Sequence, residues 1–224
     1  MSDPLVIIPA RTGSKGIPNK NFRLLAGKTP AQRAIDVVRQ AGWEPILSTD
    51  CVYGCEIVAD WCVMLRPAEL AQDDTPMLAV IQHVLAKIPG PPDQPILLVQ
   101  PTQVLREAKH LTQALEALTS DWDSVVTLAP IPRSHAPEFV VWYENVTLQA
   151  CAEWTKRPTR RQDVRWPYVC DGTAYVFRRK TVEEFGNIYG DYVRAILMDP
   201  EETCSLDTPA DWAEAERRLL AREG

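Results

Sequence analysis

The feature that most limits the folds open to this chain is a short, unbroken apolar run that recurs through its first half. The runs are Pro4 to Ala10, Glu44 to Ser48, Cys62 to Leu65 and Pro95 to Val99. A strand buried on both faces is apolar throughout, whereas a half-exposed strand alternates with polar residues. Helical patterns separate the runs, so we predict an α/β fold whose sheet is mainly parallel and flanked by helices.

Three helix starts are marked by a threonine directly before a proline, at Thr29-Pro30, Thr75-Pro76 and Thr208-Pro209. The threonine hydroxyl can cap the helix, and proline suits the first helical position because its missing N–H would have no partner there. Gln32 predicts a capping box with Thr29, and Asp211 places an acid at the positive end of the last helix. We therefore predict that helices begin at these three points.

The last predicted helix, from Pro209 to Arg222, carries an apolar stripe on one face. The stripe consists of Trp212, Ala215, Leu219 and Leu220. Because apolar residues three or four apart line the same side of a helix, we expect this face to pack on the sheet.

In the second half of the chain, prolines become frequent and the hydrophobic pattern changes to alternation. The segments Glu138 to Tyr143 and Thr147 to Glu153 alternate as antiparallel strands do. We predict that residues 130–167 form a small antiparallel arm added to the parallel core. A chain of 224 residues can build one full core, so we predict a single domain over residues 1–224 that includes the arm.

Composition restricts the partners and the compartment. Lys plus Arg total 24 against 30 Asp plus Glu, a net charge of -6, which disfavours a dedicated nucleic-acid binder. No stretch approaches the roughly 18 to 20 apolar residues of a membrane-spanning helix, and Ser2 and Asp3 stand where a signal peptide would have a basic start. We expect a cytoplasmic protein without a membrane partner.

The cysteines are expected to be free and mostly buried, since a chain of this length needs no disulfides. They are Cys51, Cys55, Cys62, Cys151, Cys170 and Cys204. The first three could share one helical face, but no histidine lies near them in the sequence, and small apolar core residues explain the same spacing. We therefore do not predict a zinc site.

The loop that follows the first predicted strand, Ala10 to Asn21, has the composition of an anion-binding loop. Two glycines free its backbone, Ser14 adds a hydroxyl, and three cations lie within ten residues. The glycines are Gly13 and Gly16, and the cations are Arg11, Lys15 and Lys20. The carboxyl end of a parallel strand is where open α/β sheets bind ligands. The loop matches neither the dinucleotide motif Gly-x-Gly-x-x-Gly nor a P-loop. The alternative interpretation is a surface loop with solvated charges.

The segment 8–21 reads Ile-Pro-Ala-Arg-Thr-Gly-Ser-Lys-Gly-Ile-Pro-Asn-Lys-Asn, and in this it resembles the acylneuraminate cytidylyltransferases, or CMP-sialic acid synthetases, and relatives that activate other acidic sugars. Further similar segments follow in the family's order at 47–50, 65–70 with Asp73, 98–102 running to Leu105-Arg106, 161–162, 171–175 and 206–208. The resemblance implies a Rossmann-like nucleotidyltransferase domain. It also implies transfer of CMP from CTP to a hydroxyl of an acidic sugar, with release of pyrophosphate and help from Mg²⁺.

The same resemblance implies roles for individual residues. Arg11, Gly13, Ser14 and Lys15 would hold the triphosphate, Lys20 and Asn21 the α-phosphate and the cytidine, and Arg66 and Thr75 more of the nucleotide. The residues expected at the acceptor are Gln100, Thr102, Arg161, Gln162 and Asp171. Those expected to be catalytic are Arg11, Lys20 and Asp207. The metal ligands would be Asp207 and Ser205. In-line attack at phosphorus depends on positioning and charge neutralisation, which these residue types can supply.

Four segments depart from the family pattern. The usual Ser-Pro after Thr102 is Gln103-Val104, the paired histidines before proline appear as Ser134-His135-Ala136-Pro137, the common Asn-Gly is Asp171-Gly172, and the usual Asp-Ile-Asp is Ser205-Leu206-Asp207. Two alternatives therefore stay open. The acceptor could be Kdo or a small phosphonate or other non-sugar acid, or the chain could bind nucleotide with weak or no turnover.

Basic and aromatic residues alternate near the end of the predicted arm. They are Lys156, Arg157, Arg160, Arg161 and Arg165, with Trp154, Trp166 and Tyr168. Such a mixture can bind single-stranded nucleic acid. In an acidic chain with this resemblance, we interpret the cluster as closing over an anionic substrate or lying at a subunit contact. The resemblance also implies a homodimer formed through the arm.

Overall fold

A computed structural model describes residues 3–51, 62–144, 147–151 and 158–223. Its strands are β1 (Leu5–Pro9), β2 (Pro45–Thr49), β3 (Cys62–Leu65), β4 (Pro95–Leu98), β5 (Ser124–Pro130), β6 (Val141–Glu144), β7 (Thr147–Ala150), β8 (Tyr168–Arg178) and β9 (Val193–Leu197). Its helices are α1 (Pro30–Gln40), α2 (Met77–Lys87), α3 (Ala108–Glu116), α4 (Arg179–Phe185) and α5 (Pro209–Glu223).

The described strands form a seven-stranded sheet in the order β3-β2-β1-β4-β8-β5-β9 and a separate β6-β7 pair. The pairs β1·β2, β1·β4, β2·β3 and β5·β9 are parallel. The mainly parallel sheet predicted from the apolar runs is confirmed. Strand β8 was not predicted, and it runs antiparallel between β4 and β5.

Alternate residues of β1 face opposite layers of the core. Val6 and Ile8 pack with buried residues of α1 and α3 on one face. Ile7 packs with buried residues of α2 and with Val182 of α4 on the other. Both faces of this central strand are therefore covered, which is the physical reason for its unbroken apolar sequence.

Helix α5 covers loops rather than the sheet, so its predicted packing is wrong. Its buried residues Trp212, Ala215 and Leu219 join a cluster with Ile17, Leu25, Val104, Leu105 and Leu206, which lie outside the strands. Leu220 was predicted in the stripe but is 57% exposed. The apolar face of α5 is therefore buried against these loops.

Two of the three predicted caps are confirmed. At α1 the Thr29 hydroxyl accepts from Gln32 N and the Gln32 side chain accepts from Thr29 N, a complete capping box. At α5 the Thr208 hydroxyl accepts from Asp211 N at 3.2 Å, and Asp211 accepts from Thr208 N at 2.7 Å.

The predicted cap at Thr75 is wrong. Pro76 is the residue before α2, and the helix begins without a side-chain cap. The Thr75 hydroxyl instead accepts from Gln72 N and donates to Glu69 O. Because the Thr75 hydroxyl is hydrogen-bonded within the preceding turn, it does not cap the helix.

The antiparallel pair predicted in the arm is confirmed, as β6 pairs with β7. The described cysteines form no disulfides, but the expectation that most are buried is wrong. Cys62, Cys151 and Cys170 are exposed, and Cys51 and Cys204 are half-buried. Cys62 lies on β3, at the end of the sheet's strand order, and Cys170 lines a cleft. Cys55 lies outside the described residues, as do Trp154, Lys156 and Arg157. In the part of the chain that the structure describes, every helix is too short or too polar to span a bilayer.

Candidate active site

A cleft of about 340 Å³ opens beyond the carboxyl ends of β1, β3 and β4. Its lining residues are Pro9, Arg11, Lys20, Asn21, Arg66, Met77, Gln100, Pro101, Thr102, Cys170, Asp171, Ser205 and Asp207. The amino-terminal part of the antiparallel strand β8 supplies Cys170 and Asp171 at the same edge. Open α/β sheets bind ligands at this edge, so the cleft is the candidate site.

The structure brings together predicted residues from distant parts of the sequence. The predicted site residues that line the cleft are Arg11, Lys20, Asn21, Arg66, Gln100, Thr102, Asp171, Ser205 and Asp207. Sequence reasoning did not single out Met77 or Cys170 as lining residues. Met77 is the first residue of α2, and nothing in its sequence context indicates that this end of the helix faces the cleft.

Lys20 is held at the far end of the cationic loop. Its Nζ donates to Leu206 O at 2.8 Å and lies 3.5 Å from Asp207 Oδ1. Asn21 ties the end of the loop to its beginning, because its Nδ2 donates to Arg11 O at 2.9 Å. The loop after β1 and the segment before α5 are therefore joined at the cleft by one ammonium group.

Ser14 and Gly16 shape this loop from within. The Ser14 hydroxyl donates to Ile17 O at 2.6 Å and accepts from Lys20 N at 3.0 Å. A Cβ on Gly16 would lie 2.7 Å from Asp207 O, so this position requires glycine for close approach of two backbones. A Cβ on Gly13 would meet no atom within 4 Å. Neither Ser14 nor Gly13 lines the cleft, and the phosphate contacts proposed for them stay predictions.

Lys15 and Arg11 share one carboxylate, that of Asp73. Arg11 Nη2 lies 2.5 Å from Asp73 Oδ1, and Lys15 Nζ lies 2.6 Å from Asp73 Oδ2. Hydrogen bonds from Lys15 and Arg11 lower the pKa of Asp73, and the bond to Asp73 raises the pKa of Lys15. The outer part of the cationic loop is thus charge-compensated by the chain itself.

Arg66 is the most enclosed of the predicted cations. It follows β3, is 8% exposed, and donates from Nη2 to Ser48 O at 2.7 Å. Burial lowers its pKa from the usual value. Its Nε is buried and has no hydrogen-bond partner among the described residues. The guanidinium is therefore fixed to the end of β2, and its buried Nε donor is unused among the described residues.

Asp171 and Gln100 face the cleft from β8 and from the turn after β4. The Asp171 carboxylate accepts from the Thr173 hydroxyl and from Thr173 N. Gly172, between them, has φ +81, and a Cβ there would lie 2.6 Å from Gln100 Oε1. Glycine therefore allows the Gln100 amide to approach the backbone of β8.

A second chamber of about 370 Å³ adjoins the first. It shares Cys170, Asp171, Ser205 and Asp207 with the cleft, and adds Gln103, Ala129, Val169, Thr203 and Cys204. Its lining contains no lysine or arginine from the described part of the chain. The shared residues, among them Asp171 and Asp207, form the boundary between the two chambers.

Two buried residues that the sequence analysis gave no role brace these walls. Arg106 is 4% exposed and donates to Thr173 O and Gln100 O, each at 2.6 Å. Burial lowers the pKa of Arg106 to about 9. Gln103 donates to Asp171 O and accepts from Cys204 N. Leu105-Arg106 belongs to a segment that resembles the family, but the resemblance gave Arg106 no role.

The remaining predicted residues lie outside the cleft. Arg161 and Gln162 are exposed and belong to a short 3-10 turn, Arg161–Asp163. Gln162 O accepts from Arg133, whose guanidinium stacks over Trp166 at 4.7 Å. The Thr75 hydroxyl is engaged in its own turn. The structure of the described residues gives Arg161, Gln162 and Thr75 no contact with the cleft.

The fold and this cleft define a class: an α/β protein that gathers three cations and two carboxylates where open sheets bind ligands. A family model described as cytidylyltransferase matches residues 5–185. The chain therefore belongs to the cytidylyltransferase family.

Two relatives illustrate the sequence similarity. The chain is 29% identical to a CMP-N,N'-diacetyllegionaminic acid synthase of Legionella pneumophila, over 96% of this chain and 95% of that protein. It is 30% identical to N-acylneuraminate cytidylyltransferase A of Danio rerio, over 96% of this chain. The chain spans about half the length of the N-acylneuraminate cytidylyltransferases that it matches, including 50% of the Danio rerio protein.

Solved structures share the fold. A CMP:2-keto-3-deoxy-manno-octonic acid synthetase complexed with CTP superposes with a TM-score of 0.73 at 16% identity, over 100% of both chains. A 4-diphosphocytidyl-2C-methyl-D-erythritol synthase gives a TM-score of 0.65 at 12% identity, over 96% of this chain and 98% of the other. At these identities the likeness establishes the Rossmann-like architecture alone.

Proposed function

We propose that this protein transfers CMP from CTP to a hydroxyl of an acidic, sialic-acid-like sugar and releases pyrophosphate. The observation that carries the proposal is the cleft at the sheet edge, where Arg11, Lys20 and Arg66 lie with Asp207. Membership of the cytidylyltransferase family supports a cytidine nucleotide. The name of the Legionella relative, which matches almost end to end, supports an acid as acceptor.

The reaction depends more on positioning the substrates and neutralising the phosphate charge than on covalent catalysis by the protein. The acceptor oxygen forms a bond to the α-phosphorus while the bond from that phosphorus to the β-phosphate oxygen breaks. Pyrophosphate leaves, and the hydroxyl proton passes to water. Lys20, held by Leu206 O, offsets charge at the α-phosphate. Arg11 and Lys15 hold the phosphates that depart.

The two chambers suggest where each substrate lies. The nucleotide occupies the cationic cleft, and the acceptor enters the chamber lined by Gln103, Asp171 and Ser205. The reacting hydroxyl then lies at the boundary near Asp171 and Asp207. Gln100 and Thr102 line the cleft beside that boundary and would contact the acceptor.

The oxygen donors at Asp207 and Ser205 fit Mg²⁺, which is commonly held by one or two carboxylates together with substrate phosphates and water. The Asp207 side chain is 69% exposed, so its oxygens are open to the cleft. Ser205 Oγ donates to Asp207 Oδ2 at 2.8 Å, which keeps the two donor groups adjacent. Among the described residues, no group of three or more such side chains forms a fuller metal site. When bound, the ion would neutralise phosphate charge.

We also propose a homodimer through the arm. The support is the resemblance stated above, the separate β6-β7 pair, and the exposed aromatic side chains of Trp166 and Tyr168. The cytoplasmic location and the absence of a nucleic-acid or membrane partner stay predictions.

The test is a pyrophosphate-release screen of CTP, UTP, ATP and GTP against sialic-type sugars, Kdo and small phosphonates. We expect release from CTP with a sialic-type acid. Release only with Kdo or a phosphonate would support the alternative acceptors. Tight CTP binding without release from any acceptor would contradict the enzyme and support a nucleotide-binding protein.

A further inference from the structure

The turn from Leu70 to Thr75 brings an acid onto the cationic loop, and the mechanism above does not use it. Asp73 gives one carboxylate oxygen to Arg11 at 2.5 Å and the other to Lys15 at 2.6 Å. Two oxygens of a phosphate would contact two cations in the same way. Both cations therefore already contact a carboxylate oxygen before any ligand arrives.

The turn fixes Asp73 in this place. The Thr75 hydroxyl accepts from Gln72 N at 3.1 Å and donates to Glu69 O at 3.2 Å, which ties the turn to itself on both sides of the acid. Solvent reaches both pairs, because the Lys15 side chain is 84% exposed, that of Asp73 is 33% exposed and that of Arg11 is 27% exposed. Exposed ion pairs are weak and are readily exchanged for a stronger partner.

We propose that Asp73 is an exchange anion. It gives up Arg11 and Lys15 to the β- and γ-phosphates of the incoming nucleotide and takes them back as pyrophosphate leaves. The inference rests on the proposed function, which places those phosphates at Arg11 and Lys15. Asp73 would therefore determine specificity for the number of phosphates on the nucleotide. Only a ligand whose phosphates reach Arg11 and Lys15 must displace the Asp73 carboxylate.

Titration calorimetry with inorganic tripolyphosphate, CTP and CMP tests the proposal in the wild type and in Asp73→Asn. Asparagine keeps the shape of the side chain but removes the competing charge. We expect tripolyphosphate and CTP to bind about threefold to tenfold more tightly to the variant, the scale of one or two exposed ion pairs. CMP should bind unchanged, because its single phosphate lies near Lys20.

Asp74→Asn is the matched control. Asp74 carries the same charge one residue later, and its effect on the pKa of Lys15 is smaller than that of Asp73. We expect wild-type affinities from this control. Equal tightening in both variants would mean that net charge alone is responsible and would overturn the proposal.

A second variant separates exchange from loop support. In a Lys15→Gln background, Asp73→Asn should gain less affinity for tripolyphosphate, because one of the two released cations is gone. Weaker or unchanged binding of tripolyphosphate by Asp73→Asn in the wild-type background would overturn the proposal and assign Asp73 to loop support.

Product inhibition gives a further readout. Pyrophosphate should inhibit Asp73→Asn about threefold to tenfold more strongly than the wild type, since the variant has no carboxylate at this position to compete with pyrophosphate for Arg11 and Lys15. Unchanged inhibition would overturn the product-release half of the proposal. Tripolyphosphate contains no cytidine, so its tightening would support the exchange anion even if no acceptor were turned over. Failure of every acceptor would count against the proposed function alone.

Discussion

The two sides of the cleft are built differently. The proposed nucleotide side carries Arg11, Lys20 and Arg66, whereas the adjoining chamber has no lysine or arginine in its described lining. The loop on the proposed nucleotide side combines short-range bonds, such as the one from Lys20 N to Ser14, six residues apart, with a long-range bond from Lys20 Nζ to Leu206 O, 186 residues away. The chamber walls are held by Gln103 and Arg106, whose partners Asp171 and Thr173 lie 68 and 67 residues away.

This difference shows that the charge of the site comes from the cationic loop, whereas the spacing of its walls comes from buried hydrogen bonds. A cationic loop can be assembled locally, because its residues are neighbours in the chain. The opposite walls need buried side chains that hold distant backbone segments at a fixed separation. The nucleotide side should therefore be sensitive to the removal of charge, and the acceptor side to the removal of buried hydrogen bonds.

The largest expected effect is on the nucleotide side. Lys20→Ala removes the ammonium between Leu206 O and Asp207, and we expect kcat with CTP to fall about 10² to 10³-fold, the scale for one preorganised charge donor. Lys28→Ala is the control, since Lys28 pairs with Asp36 away from the cleft. Wild-type turnover in Lys20→Ala would contradict the importance of charge on this side.

The next largest effect tests the walls. Arg106→Met keeps the length of the side chain but leaves Thr173 O, Gln100 O and Gly172 O without their buried donor. We expect the free energy of unfolding in urea to fall by about 2 to 4 kcal/mol, since buried unpaired carbonyls are costly. Arg217→Met, at an exposed pair with Glu214, should change little. Equal stability of the two variants would show that the Arg106 bonds are replaceable.

A third prediction concerns the metal. Asp207→Asn should raise the Mg²⁺ concentration for half-maximal pyrophosphate release about tenfold to hundredfold, at least the effect of losing a supporting group at a metal site. Ser205→Asp should lower that concentration, because it adds a second carboxylate. An Mg²⁺ dependence untouched by Asp207→Asn would remove Asp207 from the ligand set.

The smallest predicted effect separates two glycines of one loop. Gly16→Ala places a Cβ 2.7 Å from Asp207 O, and we expect a loss of about 1 to 3 kcal/mol of stability from this overpacking. Gly13→Ala meets no atom within 4 Å and should leave the unfolding transition in place. Equal stability of both variants would show that the approach of loop and Asp207 is not tight.

Several elements were predictable from local patterns. The apolar run at Cys62 to Leu65 became β3 with the same bounds, and Thr29 formed its capping box. Strand β8 could not be recognised, because its buried residues lie in its middle while Asp171 and Cys170 near its start face the cleft. The pattern of such a strand mixes two environments in one segment.

The residues of the candidate site were predictable where their side-chain chemistry indicated them. They were not predictable where their role depends on where the fold places them. Arg11, Lys20 and Arg66 lie together as expected. Arg161 does not join them, because the turn that carries it lies on the exposed surface. Thr75 was assigned to a helix cap and to the nucleotide, yet its hydroxyl is taken up by a turn that the sequence pattern did not indicate.

By itself the sequence determined the parallel core, the cationic loop after β1 and the resemblance to a nucleotidyltransferase family, because apolar periodicity and loop composition are local properties. Only the tertiary structure decided that Asp73 pairs with both Arg11 and Lys15, that Gly16 must touch Asp207, and that Arg106 braces both walls. Those contacts join segments far apart in the chain. Their existence depends on the distances that the folded sheet imposes.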